Sequence, residues 1–244
     1  MRIAPMVSTF ALVAMTSVLF AGCSVIPAGK SGSTELTPIT PTRSPNSVAT
    51  PAGPAGTSTS APSKAGSISA PGAGESVESA ISWVQAAPPA DSADFRVALR
   101  AGNSTPLGED TAFTTPSGIS CMTDTKRDPG SLACLVDLVN PPPPPADVYG
   151  VWKGGWVDFD GSGVRVGSAH GDPGRFTLGS GSPLPQENSL AFGNFRCRAD
   201  VTTLVCVNYA RKTAVRYSDD GITAYGCTRQ DPPAAGVGQQ YACG

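Results

Sequence analysis

Two short clusters in this chain carry residue types that could do chemistry. Ser168, His170 and Asp172 supply the nucleophile, base and acid types of a hydrolase triad. A nucleophile must lie within hydrogen-bond reach of its base. On a strand these three side chains would line one face, about 7 Å between successive ones, too far apart to work together. A turn would bring them closer, and a plain polar loop closed by Gly171 and Pro173 explains the same residues. Asp158, Asp160, Ser162 and Gly163 follow the start of a calcium loop, but its twelfth position holds Ala169 where a bidentate glutamate is needed. Asp and Gly also favour hairpin tips, which is the competing reading.

Trp152 and Trp156 are four residues apart with Gly154 between them. On one strand both rings would face the same way. Such a pair is either a platform for sugar rings or packing beneath a second sheet.

The chain has seven cysteines. Six of them, Cys121, Cys134, Cys197, Cys206, Cys227 and Cys243, form an even set, as expected of disulfides in an exported chain. Local turns narrow the fifteen pairings that sequence alone allows. Cys197 and Cys206 bracket the polar stretch Ala199 to Thr203. Cys121 and Cys134 bracket Asp128-Pro129-Gly130, a turn signal. Cys227 and Cys243 would then pin the tail. Zinc sites show closely spaced cysteine pairs, none of which occurs here, and the single histidine, His170, has no nearby cysteine. No cofactor is expected.

The seventh cysteine, Cys23, follows Leu19-Phe20-Ala21-Gly22 at the end of an apolar run. That arrangement resembles the lipobox of bacterial lipoproteins, although Phe20 stands where Leu or Val is usual. The resemblance implies cleavage before Cys23, a diacylglycerol on its sulfur and attachment to membrane lipid. Cleavage nearby to give an ordinary secreted protein is the alternative. Residues 1–22 divide as a signal peptide, with Arg2 before an apolar core too short to span a bilayer. Residues 23–74 are mostly Ser, Thr, Pro, Ala and Gly and should form a disordered tether. As a flexible coil its ~50 residues span roughly 40 Å; Ser/Thr with Pro is also the composition of a glycosylated stalk.

Residues 75–244 suit one exported domain. Val77, Ile81 and Val84 form an apolar stripe at helical spacing after Ser76, and Pro88 and Pro89 stop it. Beyond it the period becomes two. Phe95, Val97 and Leu99 alternate as on a half-buried strand. Hairpins are expected at Asp160–Gly163 and at Asp219–Gly221, and Pro141–Pro145 as an extended surface loop. The expected fold is mainly β: a small disulfide-stapled sandwich or irregular barrel, with one short helix after the tether.

The run Phe113-Thr114-Thr115-Pro116-Ser117-Gly118-Ile119-Ser120-Cys121, with Cys134 and the later pair Cys197 and Cys206, resembles a set of exported actinobacterial proteins. Segments Trp152–Asp160 and Val166–Pro173 are similar to those of mycobacterial lipoproteins. The resemblance implies export, anchoring and disulfides. It implies no catalytic residue.

The formal net charge is −2, with no Lys/Arg cluster, which argues against nucleic acid. The expected function is a non-catalytic binding or interaction module, lipid-anchored and facing outward at the cell membrane, with an envelope glycan or a protein as partner. The alternative is a cell-wall or envelope hydrolase.

Overall fold

The computed structural model describes residues 69–146, 148–169, 174–227 and 229–243. The segment expected to be a signal peptide, Cys23 and most of the stretch expected to be a tether lie outside the described residues. Helix α1 spans Val77–Gln85, and its cap is Ser76, whose Oγ accepts from the Ser79 N–H at 3.2 Å. The predicted stripe is present, with Val84 fully buried and Val77 and Ile81 half-buried; Ala80 and Trp83 complete the buried face.

Strands follow at Val97–Arg100 (β1), Asn103–Pro106 (β2), Ala112–Thr114 (β3), Ser120–Asp124 (β4), Asp128–Leu135 (β5), Lys153–Phe159 (β6) and Gly163–Ser168 (β7). Next come Ser180–Pro183 (β8), Ser189–Phe192 (β9), Phe195–Ala199 (β10), Leu204–Asn208 (β11), Thr213–Ser218 (β12) and Gly221–Tyr225 (β13). The last two are Arg229–Asp231 (β14) and Val237–Ala242 (β15). They form a ten-stranded sheet, ordered β14-β15-β7-β6-β5-β4-β3-β8-β1-β2, and a five-stranded sheet, ordered β13-β12-β11-β10-β9. Neither closes into a barrel, so the architecture is the sandwich.

Alternation along the strands builds three layers of packing. Leu132 and Cys134 of β5, Val157 and Phe159 of β6 and Val164 and Val166 of β7 face the five-stranded sheet. Cys197, Leu204, Cys206, Val215 and Tyr217 meet them from the other side. The opposite face of the small sheet, with Val205, Val207 and Ala214, is covered by α1. The opposite face of the large sheet, with Ala98, Ala112, Ala133 and Trp156, is covered by Phe176. Ala70 packs beside α1, and the Tyr225 hydroxyl donates to the Pro71 carbonyl at 2.7 Å. The folded unit thus takes in residues that composition groups with the tether.

Disulfides join Cys121–Cys134, Cys197–Cys206 and Cys227–Cys243. The first two link residues directly opposite in antiparallel pairs, at Cα separations of 4.1 and 4.0 Å. That spacing belongs to non-hydrogen-bonded pairs, where side chains lie nearest each other.

Two local expectations need correction. Asp128-Pro129-Gly130 does not form the β4–β5 turn, which lies at Thr125–Arg127. The register jumps between Thr123, opposite Leu132, and Asp124, opposite Asp128. Pro129, Gly130 and Ser131 form the resulting bulge, and Gly130 supplies its φ of +79°. Likewise Phe95, Val97 and Leu99 do not share a strand's buried face. Phe95 closes a 3-10 turn and enters the core, while β1 buries Ala98 and leaves Leu99 40% exposed. The hairpins at 160–163 and 219–221 lie where turn chemistry places them.

Candidate functional site

The outer face of the large sheet carries a cluster where charges of both signs are drawn under cover. A 3-10 turn at Gly174–Leu178 is anchored there by Phe176, which meets Trp156 edge-on with ring centroids 5.5 Å apart. Arg175, one residue earlier, is thereby laid along the sheet. Its Nη2 is 3.1 Å from Asp128 Oδ2, at the start of β5, and 3.7 Å from Asp158 Oδ1 on β6. The side chains of Arg175 and Asp158 are only 9% and 11% exposed. A guanidinium shared between two carboxylates offsets the cost of burying each charge. Its other terminal nitrogen, Nη1, is buried with no hydrogen-bond partner among the described residues.

Two clefts meet at Asp128. One, of 480 Å³, is lined by Asp128, Asp158, Arg165 and Ser168, with Gly236 and Val237 closing it. The other, of 400 Å³, is lined by Asp124, Arg127, Asp128, Trp156, Gly174 and Arg175. Arg165 stands opposite Asp158 in the β6–β7 register. Three aspartates and three arginines therefore face one continuous surface. Such a site is polar and nearly neutral, with guanidiniums that donate and carboxylates that accept hydrogen bonds.

The structure separates the residues that sequence grouped. Ser168 ends β7 and lines the larger cleft, whereas His170 and Asp172 lie outside the described residues. Asp160 closes the hairpin: its Oδ1 accepts from the Ser162 N–H, the Ser162 hydroxyl and the Gly163 N–H, each at 2.8 Å. Its Oδ2 faces Arg165 at 3.6 Å. Asp158 faces Arg175 instead, so the two acids of the calcium-like pattern serve different guanidiniums. Among the described residues no three His, Cys, Asp or Glu side chains converge as metal ligands.

Trp152 and Trp156 do not form an open pair. Trp156 is 2% exposed beneath Phe176. Trp152 precedes β6, is half-buried, and donates its indole N–H to the Pro142 carbonyl at 3.1 Å. The register shift between Lys153 and Val157 breaks the simple alternation that would align the rings. Pro142 and Trp152 lie against Gly167, where a Cβ would come within 2.6 Å of the Trp152 ring. The proline run is thus a strap on the sheet.

Arg175 was not visible as a site residue, being 47 positions from Asp128. The available signal was Asp158 itself, a buried acid between the core residues Val157 and Phe159. A charge in that position demands a partner from elsewhere in the chain.

No protein-family model matches the chain, and no curated protein or solved structure matches it.

Proposed function

We propose that this chain is a membrane-anchored lipoprotein, held through Cys23 and facing outward, whose folded unit is a non-catalytic binding module using the cleft beside Arg175. The observation that carries the binding role is the buried Arg175 guanidinium between Asp128 and Asp158 at the junction of two open clefts. Balanced charge favours neither a strong anion nor a strong cation. It suits a hydroxyl-rich neutral ligand such as an envelope glycan, whose oxygens both donate and accept. Three disulfides support an oxidising location. The segment Leu19 to Cys23 supports the anchor, and no helix of the described residues is long and apolar enough to cross a membrane.

One feature favours the hydrolase as a second reading: Ser168, Asp128 and Asp158 line the same cleft. Calorimetric titration of the full chain with purified neutral envelope oligosaccharides, followed by mass analysis of the sugar, separates the two. Binding that Arg175→Met abolishes, with the sugar's mass unchanged, supports the module. Shortened sugar that Ser168→Ala leaves intact supports the hydrolase, and no heat with any glycan removes the glycan reading. Intact mass of native protein tests the anchor independently: the expected chain starts at Cys23 and carries a diacylglycerol. A free thiol there, or another first residue, refutes it.

A further inference from the structure

A second groove lies at one end of the sandwich, where both sheets contribute loops. It has a volume of 380 Å³ and a floor of Ile119 and Val136, core residues that reach the surface here. Val139 and Val201 form its rim and are 68% and 54% exposed, whereas Val157, Val164, Val205, Val207 and Val215 inside the sheets are fully buried. Two aliphatic side chains left in water beside an apolar floor give the groove an apolar wall that a partner's side chain would cover. Asp137 and Asp219 stand at the same groove, and no Lys or Arg lines it. Asp137 makes no ion pair among the described residues.

The groove is preorganised. The Val139 N–H donates to the Asp219 carbonyl at 2.9 Å, tying the segment after β5 to the β12–β13 hairpin. The Ile119 N–H donates to Thr115 Oγ1 at 3.1 Å, and the Asp200 N–H to the Thr203 carbonyl at 2.7 Å. Cys121–Cys134 stands two residues behind both Ile119 and Val136, and Cys197–Cys206 holds the strands that carry the Val201 loop. A surface fixed in this way loses little entropy when it is covered.

We infer that this groove docks an extended segment of a partner protein in which aliphatic side chains alternate with Lys or Arg. The aliphatic side chain meets Ile119, Val136, Val139 and Val201, and the flanking cations meet Asp137 and Asp219. An anionic lipid surface is repelled by the same two carboxylates. A glycan alone would leave the exposed valines uncovered.

The test uses the full chain, labelled for amide spectra, and a short capped peptide alternating arginine with leucine. Controls replace leucine by serine, or arginine by glutamate. Expected is saturable binding below about 1 mM, with shifts confined to residues 117–119, 136–139, 201–203 and 219. The paired variant Asp137→Asn, Asp219→Asn weakens it about tenfold or more, and Val201→Ser weakens it without changing the rest of the spectrum. The proposal is overturned by no saturable binding, by equal binding of the serine control (diffuse charge attraction only), by equal binding of the glutamate control, or by shifts at the Arg175 cleft instead.

Discussion

The Arg198 guanidinium lies 4.0 Å over the ring of Trp83, and its Nη1 donates to the Trp83 carbonyl at 2.7 Å. One side chain of β10 thus holds α1 by ring and by backbone. Two positions back, Arg196 reaches the Ala87 carbonyl and Ser189 Oγ. The helix is therefore fastened to the small sheet by polar contacts as well as by Ala80 and Val84. Burial pushes the Arg198 pKa down, and the nearby Asp200 and Glu187 pull it back. Arg198→Met keeps the stem and removes both contacts. We expect a loss of about 2–4 kcal/mol by urea unfolding, the sum of a desolvated cation–π contact and a charged hydrogen bond. Arg198→Lys should recover part of it, since the charge returns without the planar fork. A change within the error of the midpoint would show that apolar packing alone seats the helix.

Tyr217 is fully buried between the sheets, and its hydroxyl finds no hydrogen-bond partner among the described residues. Burial, with a further contribution from Asp158, raises its pKa above the usual phenol value. The native state then keeps a proton that the unfolded chain releases above pH ~10. Stability is fully present below that pH and falls by about 1.4 kcal/mol per unit as pH rises toward the higher folded value. Tyr217→Phe should be neutral to stabilising by roughly 1–3 kcal/mol at pH 7, because it deletes an unsatisfied buried group. It should also flatten the alkaline fall by one proton. Thermal unfolding at a series of pH values reads both effects; an unaltered alkaline slope would mean that Tyr217 does not control it.

The cross-strand disulfides constrain the unfolded chain. Replacing Cys197 and Cys206 together by alanine, or Cys121 and Cys134, should cost about 3 kcal/mol per bridge. For a domain of this size that lowers Tm by roughly 6–12 °C. Scanning calorimetry on the paired variants measures it. A drop smaller than ~1 kcal/mol would indicate that the unfolded chain keeps the hairpin closed without its bridge.

Gly181 on β8 sits where β1 and β3 converge. A Cβ there would overlap the Ala112 carbonyl and the Phe113 nitrogen, both of them backbone. Gly181→Ala should therefore cost about 3 kcal/mol or more, since strands rather than side chains must shift. Gly72→Ala is the matched control: the nearest atom to its Cβ is Glu75 Oε1, at 3.6 Å. It should stay within about 0.5 kcal/mol of the parent. Equal stability of the two variants would show that the sheet yields at Gly181.

Some of this was legible residue by residue. Ser76 before Val77, Ile81 and Val84 marks a capped amphipathic helix, and Asp160–Gly163 and Asp219–Gly221 mark tight turns, because caps and turns depend on contacts within a few residues. The pairing of Cys197 with Cys206 follows from the short loop between them. The β1 region misleads because Phe95, Val97 and Leu99 show the right period on the wrong face. The bulky positions there are set by the 3-10 turn and the sheet edge, and Ala98 is buried because it fits beneath Phe176. The Arg175 cleft has no spacing signature, since its partners arrive from β5 and β6.

Composition, periodicity and turn chemistry determined that this is a mainly β chain with one short helix and paired cysteines. These properties arise from local sterics, local hydrogen bonds and short loop closures. Tertiary structure alone decided that the strands make an open sandwich, that Trp156 faces Phe176 instead of a ligand, and that Arg175 joins Asp128 and Asp158. The face a strand buries, and the charge that meets a buried carboxylate, depend on which distant segment lies against it, and no short-range pattern records that.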